Sequence, residues 1–263
     1  MKLKYNDKVH GYWLDGRRCK GISTAAKVPD DTFQLDNWRK RQVLRGVAIN
    51  PKIAAAAAAH HDDKDKLDEL AEQALLLAGS SDGAMVGTAA HRIIERHLLG
   101  EEIMRNEQST TIIGNFEDAM SRVGLKPLPE YVEQVVLYPE QYLAGRFDQM
   151  AERQSDGMLC VCDVKTGTRA IRYPHSTCVQ LAGYANAPRH AHMPPGRNGE
   201  TEKFTLPPEN LDTEVGYVIH VTDLGTDIYS VNLKLGWKCL EQIVFPTYRW
   251  RAVPNEKLIK KVS

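Results

Sequence analysis

The spacing of apolar residues predicts which parts of the 263-residue chain are helical and which are extended. Residues 1–15 alternate between polar and apolar and end at Asp15-Gly16, a pattern typical of a small β-hairpin. Helical spacing follows in five stretches, some of them closed by glycine. These predicted helices cover residues 35–44, 54–59, 67–78, 87–99 and 107–123.

After Pro127 and Pro129 the period changes from helical to extended, and strands are predicted, two of them joined by a turn at Ser155-Asp156-Gly157. The order of elements predicts an α/β fold with one mixed central sheet flanked by helices. We expect a single domain over 1–263, with a hairpin and helical region over 1–80 and a core over 85–250. The later predicted elements are strands 131–138, 143–151 and 158–165, a helix 176–186, a Pro- and Gly-rich loop 188–208, strands 215–221 and 228–231, and a helix 235–248.

The charge is unevenly distributed, although 34 basic and 34 acidic residues give a formal net charge of zero. Residues 1–46 carry 11 Lys and Arg against 5 acids, and residues 234–263 carry 7 against 2, so each end is basic. Residues 47–233 carry 16 against 27 and are acidic. This pattern fits a polyanionic partner held by the ends, with clustered carboxylates between them; solvated surface charge is the alternative.

Membrane and secreted classes are disfavoured. No stretch reaches the roughly 18–20 apolar residues that span a bilayer, and the N-terminus lacks the apolar core of a signal peptide. Five scattered cysteines, an odd number, argue against a disulfide framework. We therefore expect a cytoplasmic protein without a membrane partner.

The sequence Cys-Val-Cys-Asp-Val-Lys-Thr-Gly carries the clearest chemical pattern. On a strand, Asp163 and Lys165 project from one face, while Cys160, Cys162 and Val164 project from the other. We interpret the cysteines as small apolar residues of a buried face, with a Cys-x-Cys metal site as the alternative. The other face then presents a carboxylate beside an ammonium group, for which a surface ion pair is the alternative.

A second acid lies in the preceding predicted strand. Fifteen residues separate Asp148 from Asp163, enough for one strand, a tight turn and the next strand. The two carboxylates can therefore lie side by side, where they would repel each other unless one is protonated or a cation sits between them. A hard divalent cation with oxygen ligands, typically Mg²⁺, meets this requirement.

Four short motifs occur in order between residues 87 and 184. They are Gly87-Thr88-Ala89-Ala90-His91 with Glu95, Gly145-Arg146-Phe147-Asp148, Asp163-Val164-Lys165-Thr166-Gly167, and Gln180-Leu181-Ala182-Gly183-Tyr184. Each is weak alone, but together they match GTxxHxxxE, GxxD, (D/E)xK and QxxxY. The chain thus resembles the RecB-type nucleases of the PD-(D/E)xK superfamily, which include phage-encoded and CRISPR-associated RecB-like exonucleases.

The resemblance implies a restriction-endonuclease-like core and a metal centre. Asp148 and Asp163 would be the metal-binding carboxylates, with His91 and the backbone carbonyl of Val164 as further ligands. Glu95, one helical turn from His91, would support the site.

The resemblance also implies catalytic roles in metal-assisted phosphodiester hydrolysis. Lys165 would position or deprotonate the attacking water and offset charge in the transition state. Gln180 and Tyr184 lie one helical turn apart and would reach the nucleic-acid backbone, or the lysine and water near the metal. Glu133 lies on the predicted strand 131–138, before the hairpin that carries Asp148 and Asp163, and could contribute as a supporting acid.

The expected cofactor is Mg²⁺, or Mn²⁺ in its place. Relatives with an iron–sulfur cluster use one upstream cysteine and three closely spaced C-terminal ones, whereas only Cys239 lies beyond the core here, so we expect no cluster. No GxxxxGK[ST] loop is present, so we expect no bound nucleotide and no motor.

We expect a DNA exonuclease that processes DNA ends in recombination or repair, with a recombinase or single-strand-binding protein as a further partner. An endonuclease on the same core is the first alternative. The second alternative is a catalytically idle scaffold that binds DNA ends. It is the less favourable one, because two acids that face each other would have no function in such a scaffold.

Overall fold

The chain is α/β, as the sequence predicts. Its residues form two compact units, one of Met1–Asp30 with Ala90–Ser263 and the other of Asp31–Ala89. The first thirty residues therefore cluster with the predicted core rather than with the rest of region 1–80. The computed structural model describes residues 1–6, 9–79, 82–167, 173–191, 193, 198–222 and 224–259, without the side chains of residues 82–88.

Most strands come from the predicted extended regions, but some predictions need correction. The predicted N-terminal hairpin has a third strand, and the predicted loop 188–208 contains three short strands. The strands are β1 (Leu3–Asn6), β2 (Gly11–Leu14), β3 (Arg17–Gly21), β4 (Leu125–Pro127), β5 (Val135–Tyr138), β6 (Leu143–Arg146), β7 (Gln149–Arg153), β8 (Met158–Thr166), β9 (Arg189–Ala191), β10 (Asn198–Thr201), β11 (Phe204–Thr205), β12 (Val215–Val221) and β13 (Thr226–Asn232).

The predicted helices are all found, with changed ends. A 3₁₀ turn covers Pro129–Tyr131, and a π-helical segment, Leu240–Val244, interrupts the predicted helix 235–248. The α-helices are α1 (Ile22–Ala25), α2 (Phe33–Ile49), α3 (Pro51–Ala59), α4 (Lys64–Leu77), α5 (Asp82–Leu98), α6 (Glu107–Val123), α7 (Pro174–Ala185), α8 (Leu233–Cys239), α9 (Phe245–Arg251) and α10 (Asn255–Leu258).

The described strands form two sheets, so the prediction of one mixed sheet is wrong. The larger sheet has the order β10-β1-β2-β3-β6-β5-β9-β11 and the smaller has the order β13-β12-β8-β7-β4. The division into two sheets falls within the predicted strand 143–151, which is interrupted at Phe147 and Asp148. Its first half, β6, pairs with β5 and β3, and its second half, β7, pairs with β8 and β4.

The smaller sheet is mixed and carries the central hairpin. Strands β7 and β8 are antiparallel, with Gln149 opposite Cys162. Strands β8 and β12 are parallel, with Val164 opposite Ile219, and the connection between them contains α7. A parallel pair needs such a crossover, since a short turn can join only antiparallel strands.

The two faces of β8 are buried against different helices. Cys160, Cys162 and Val164 belong to one apolar cluster, together with residues of α5 and α6 such as Ile94 and Phe116. On the opposite face, Leu159 and Val161 pack in a second cluster that includes residues of α7. The predicted alternation is confirmed, and both cysteines are free and buried.

The second compact unit consists of residues 31–89 and includes α2, α3 and α4. Its apolar cluster is small and has Ile53, Leu70 and Ala74 at its centre. Polar side chains cap the N-termini of α3 and α4. The Asn50 side chain accepts a hydrogen bond from the Lys52 amide (3.0 Å), and the Asp63 side chain accepts one from the Lys66 amide (3.0 Å).

Among the helices that the structure describes, none has the combination of length and apolar character needed to cross a bilayer.

Helices α7 and α8 approach each other closely at Gly236. A Cβ atom there would overlap the backbone carbonyl of Cys178 and lie 2.8 Å from the Cβ of Ala182. We expect Gly236→Ala to lower the free energy of unfolding by about 1–3 kcal/mol, because a packed backbone must move apart. Urea unfolding followed by circular dichroism measures this.

Gly114→Ala in α6 is the matched control. A Cβ at Gly114 meets nothing within 4 Å, so this helical substitution should stabilise the protein by about 0.5–1 kcal/mol. Equal effects of the two substitutions would contradict the proposed close contact at Gly236.

Candidate functional site

The break between β6 and β7 places Asp148 beside β8. Asp148 directly precedes β7, and its Oδ2 accepts a hydrogen bond from the Val164 amide at 2.6 Å. The same oxygen lies 3.1 Å from His91 Nε2 on α5. The side chain thus replaces a backbone acceptor at the point where the β7–β8 ladder ends.

Asp163 lies on β8, and its side chain is 3% exposed. Its Oδ2 lies 2.6 Å from Lys165 Nζ, and its Oδ1 accepts a hydrogen bond from Gln180 Nε2 at 3.0 Å. Gln180 Nε2 also lies 3.2 Å from the Tyr184 hydroxyl. Helix α7 therefore connects to the acid through Gln180, while Tyr184 contacts Gln180 and not the acid.

Glu133 joins the site from the segment before β5. Its backbone has a φ of 53°, a left-handed conformation that is uncommon for a residue with a side chain. Its amide donates to the Asp148 carbonyl at 2.9 Å. Such strained positions cluster at functional sites, where surrounding contacts compensate their cost.

His91, Glu133 and Asp148 could hold a metal ion together. One ligand atom from each lies within 4.8 Å of those of the other two. An imidazole nitrogen and two carboxylate oxygens are a suitable donor set for Mg²⁺ or, with its greater tolerance of nitrogen, Mn²⁺. Asp163 lies outside this group, because its two oxygens face Lys165 and Gln180.

Mutual repulsion of the acids explains the electrostatics around Asp148. Burial alone would raise the pKa of Asp148, but the hydrogen bond and charge of His91 keep it below its usual value. Burial alone would lower the pKa of His91, but Asp148 raises it to about 9. Burial, helped by the charges of Asp148 and Glu95, raises the pKa of Glu133 to about 8. Protons on His91 and Glu133 thus reduce the net negative charge at the place where a cation would fit.

Asp163 and Lys165 form the other half of the site. Burial and then the charge of Asp148 raise the pKa of Asp163, although Lys165 opposes this. Burial would lower the pKa of Lys165, but Asp163 more than compensates and raises it. Mutual attraction therefore favours the carboxylate form of Asp163 and the ammonium form of Lys165, whereas burial opposes both charged forms.

The structure brings most of the predicted site residues together. His91, Asp148, Asp163, Lys165 and Gln180 are linked by the contacts above, and Val164 takes part through its backbone. The Glu95 side chain has no hydrogen bond or ion pair among the described residues, but its charge raises the pKa values of His91 and Glu133. Of the arginines near Glu95 in sequence, Arg96 instead pairs with Glu101 (3.1 Å).

Sequence reasoning underestimated Glu133 and missed the role of Arg146. Arg146 Nη1 lies 3.5 Å from Glu133 Oε2, and its guanidinium lies 4.4 Å from the centre of the Tyr5 ring. Glu133 is the acidic residue just before a fully buried strand, which was the available signal. Arg146 carried a weaker signal, a charge inside an otherwise apolar strand.

Gly145 has a steric reason to be glycine. A Cβ at this position would lie 2.7 Å from Cε1 of Tyr184 and 3.0 Å from Cβ of Ile22. The absence of a side chain lets the ring of Tyr184 on α7 and the side chain of Ile22 pack directly against β6. For Gly87 and Thr88 of the first motif, the structure describes the helical backbone but not the side-chain positions.

The chain matches no protein-family model, and no curated protein matches its sequence.

Glu133→Gln tests whether Glu133 is a metal ligand. We expect Mn²⁺ to bind the wild type and to bind this variant about tenfold or more weakly, because a neutral amide replaces a charged oxygen donor. Isothermal titration calorimetry measures both affinities.

Glu130→Gln is the matched control, since Glu130 is an exposed acid in the neighbouring 3₁₀ turn. It should leave Mn²⁺ affinity unchanged. If Glu133→Gln also leaves the affinity unchanged, Glu133 is not a ligand.

Proposed function

We propose that the protein is a metal-dependent deoxyribonuclease that hydrolyses phosphodiester bonds and acts as an exonuclease. The observation that carries this proposal is the pair of carboxylates, Asp148 and Asp163, held next to each other with His91 on one and Lys165 on the other. Such an arrangement costs free energy in a purely structural role, because buried like charges repel. It is useful when charge must be offset in a reaction.

The metal would be held by Asp148 together with His91 and Glu133. A bound Mg²⁺ or Mn²⁺ acidifies water and stabilises negative charge on a phosphate. The carbonyl of Val164 remains a candidate ligand, because the N–H and C=O of one strand residue point to the same side and its N–H points to Asp148.

Lys165 would act on the substrate through its charge. The 2.6 Å contact with Asp163 favours the ammonium form, which can donate hydrogen bonds to a water or to a phosphate oxygen. Of the roles considered for Lys165, positioning water and offsetting charge therefore fit better than removing a proton. Asp163, itself fixed by Gln180, would orient the lysine.

The fold also supports the resemblance to RecB-type nucleases. The smaller sheet is mixed, with α5 and α6 on one face and α7 on the other, which is compatible with the proposed restriction-endonuclease-like core. The substrate would be DNA ends, processed in recombination or repair in the cytoplasm, with a recombinase or single-strand-binding protein as the partner.

Cleavage of linear and closed circular DNA, each with Mg²⁺ and with chelator, tests the activity. We expect Mg²⁺-dependent loss of linear DNA alone, since an exonuclease needs an end. Loss of circular DNA would instead indicate an endonuclease. No metal-dependent cleavage of either substrate would leave a DNA-end-binding scaffold as the better description.

Lys165→Met and Asp163→Asn test the site in the same assay. Both should lower the cleavage rate by a factor of about 100 or more, because they remove charge that acts in the transition state. Lys126→Met, which changes an exposed strand lysine on β4, should keep full activity. Full activity of either site variant would overturn the assignment.

A further inference from the structure

A cavity of about 610 Å³ lies next to the candidate site. Its walls are formed mainly by residues of β1, β2, β3 and β6 and of the short helix α1. It shares two residues with the site described above: Arg146, which contacts Glu133, and Tyr184, which contacts Gln180. Its volume is within the range of about 300–1,000 Å³ that is usual for ligand pockets.

The lining of the cavity is positively charged. It includes Arg18, Lys20 and Arg146, and none of the lining residues that the structure describes is an acid. Arg18 and Lys20 are exposed, and in the part of the chain that the structure describes neither has a carboxylate within 4 Å. Cations without acidic partners around a concave surface attract anions.

Arg146 is fixed at the boundary between the cavity and the acids. Its guanidinium lies over the ring of Tyr5 and beside Glu133, and its side chain is 15% exposed. Tyr5 and Tyr12, whose ring centres are 4.8 Å apart, line the same cavity. A guanidinium that is held in place by other side chains can attract a phosphate at low entropic cost.

We propose that this cavity binds phosphate groups of a single nucleic-acid strand, those next to the phosphate that is cleaved. Arg18 and Lys20 would contact the outer phosphates, and Arg146 the one nearest the site. A cavity of this size accommodates one or two nucleotides but not a duplex. The inference rests on the proposed nuclease function, and it gives the N-terminal strands a role in guiding the strand to the acids.

The proposal predicts a change in the salt dependence of binding. For single strands, the slope of log K against log [salt] changes by about 0.7 for each phosphate contact. The double variant Arg18→Ala/Lys20→Ala should therefore bind a single-stranded oligonucleotide more weakly, with a slope shallower by about 1.4. Fluorescence anisotropy with a labelled single-stranded DNA oligonucleotide in the presence of chelator measures binding without cleavage.

Lys126→Ala is the matched control, since Lys126 is also an exposed strand lysine, and it should keep the wild-type slope. An unchanged slope in the double variant, or wild-type protein that binds no single strand, would overturn the proposal. A competition experiment with inorganic phosphate distinguishes a site for a nucleic-acid strand from a site for small anions. Displacement of the oligonucleotide by millimolar phosphate would contradict the proposed strand binding.

The cleavage assay separates this inference from the proposed function. If the wild type degrades linear DNA while the double variant binds and degrades it equally well, the cavity assignment is wrong and the nuclease remains. If the wild type binds the strand with the predicted slope and cleaves nothing, the nuclease proposal is wrong and the strand site remains.

Discussion

Repulsion between buried carboxylates is the constraint on which the structure of the site depends. Asp148 directly precedes β7, Asp163 lies on the neighbouring strand β8, and Glu133 adds a third acid to the same region. Each acid has a different cationic neighbour: His91 for Asp148, Lys165 for Asp163 and Arg146 for Glu133. Such pairing limits the cost of burying several charges, because each carboxylate keeps a partner in a region of low dielectric constant.

The cationic neighbours come from different parts of the fold, which explains why the two sheets meet here. His91 comes from α5, Lys165 from the smaller sheet and Arg146 from the larger one. The chain passes from one sheet to the other through Phe147, which is fully buried, and Asp148. A buried anchor beside the acid fixes the carboxylate more firmly than an exposed loop would.

Local patterns predicted a large part of this arrangement. The alternation along β8 gave its two faces, and the spacing between Asp148 and Asp163 put the first directly before β7 and the second on the neighbouring strand β8. Both inferences depend on residues close in sequence, where strand geometry determines the outcome. The catalytic roles of these residues stay predictions that await measurement.

Other features depend on contacts between distant residues, which local patterns do not encode. At the break of the predicted strand 143–151, β6 pairs with β3 and β5 in one sheet, whereas β7 pairs with β8 and β4 in the other. The left-handed backbone at Glu133 follows from its contact with Asp148 across that break. The cationic cavity combines β3 with β6, so neither segment alone could reveal it.

The parallel pairing of β3 with β6 also determines when the cationic cavity can form. Lys20 lies opposite Leu143, so this contact joins residues about 120 positions apart along the chain. Long-range pairing of this kind is slow to form, because the intervening chain must be ordered first. During synthesis the N-terminal strands emerge early and wait for β6, and β12, the parallel neighbour of β8, emerges later still. An unfinished chain that lacks β6 therefore lacks the β3–β6 pair and the cationic cavity that both strands line.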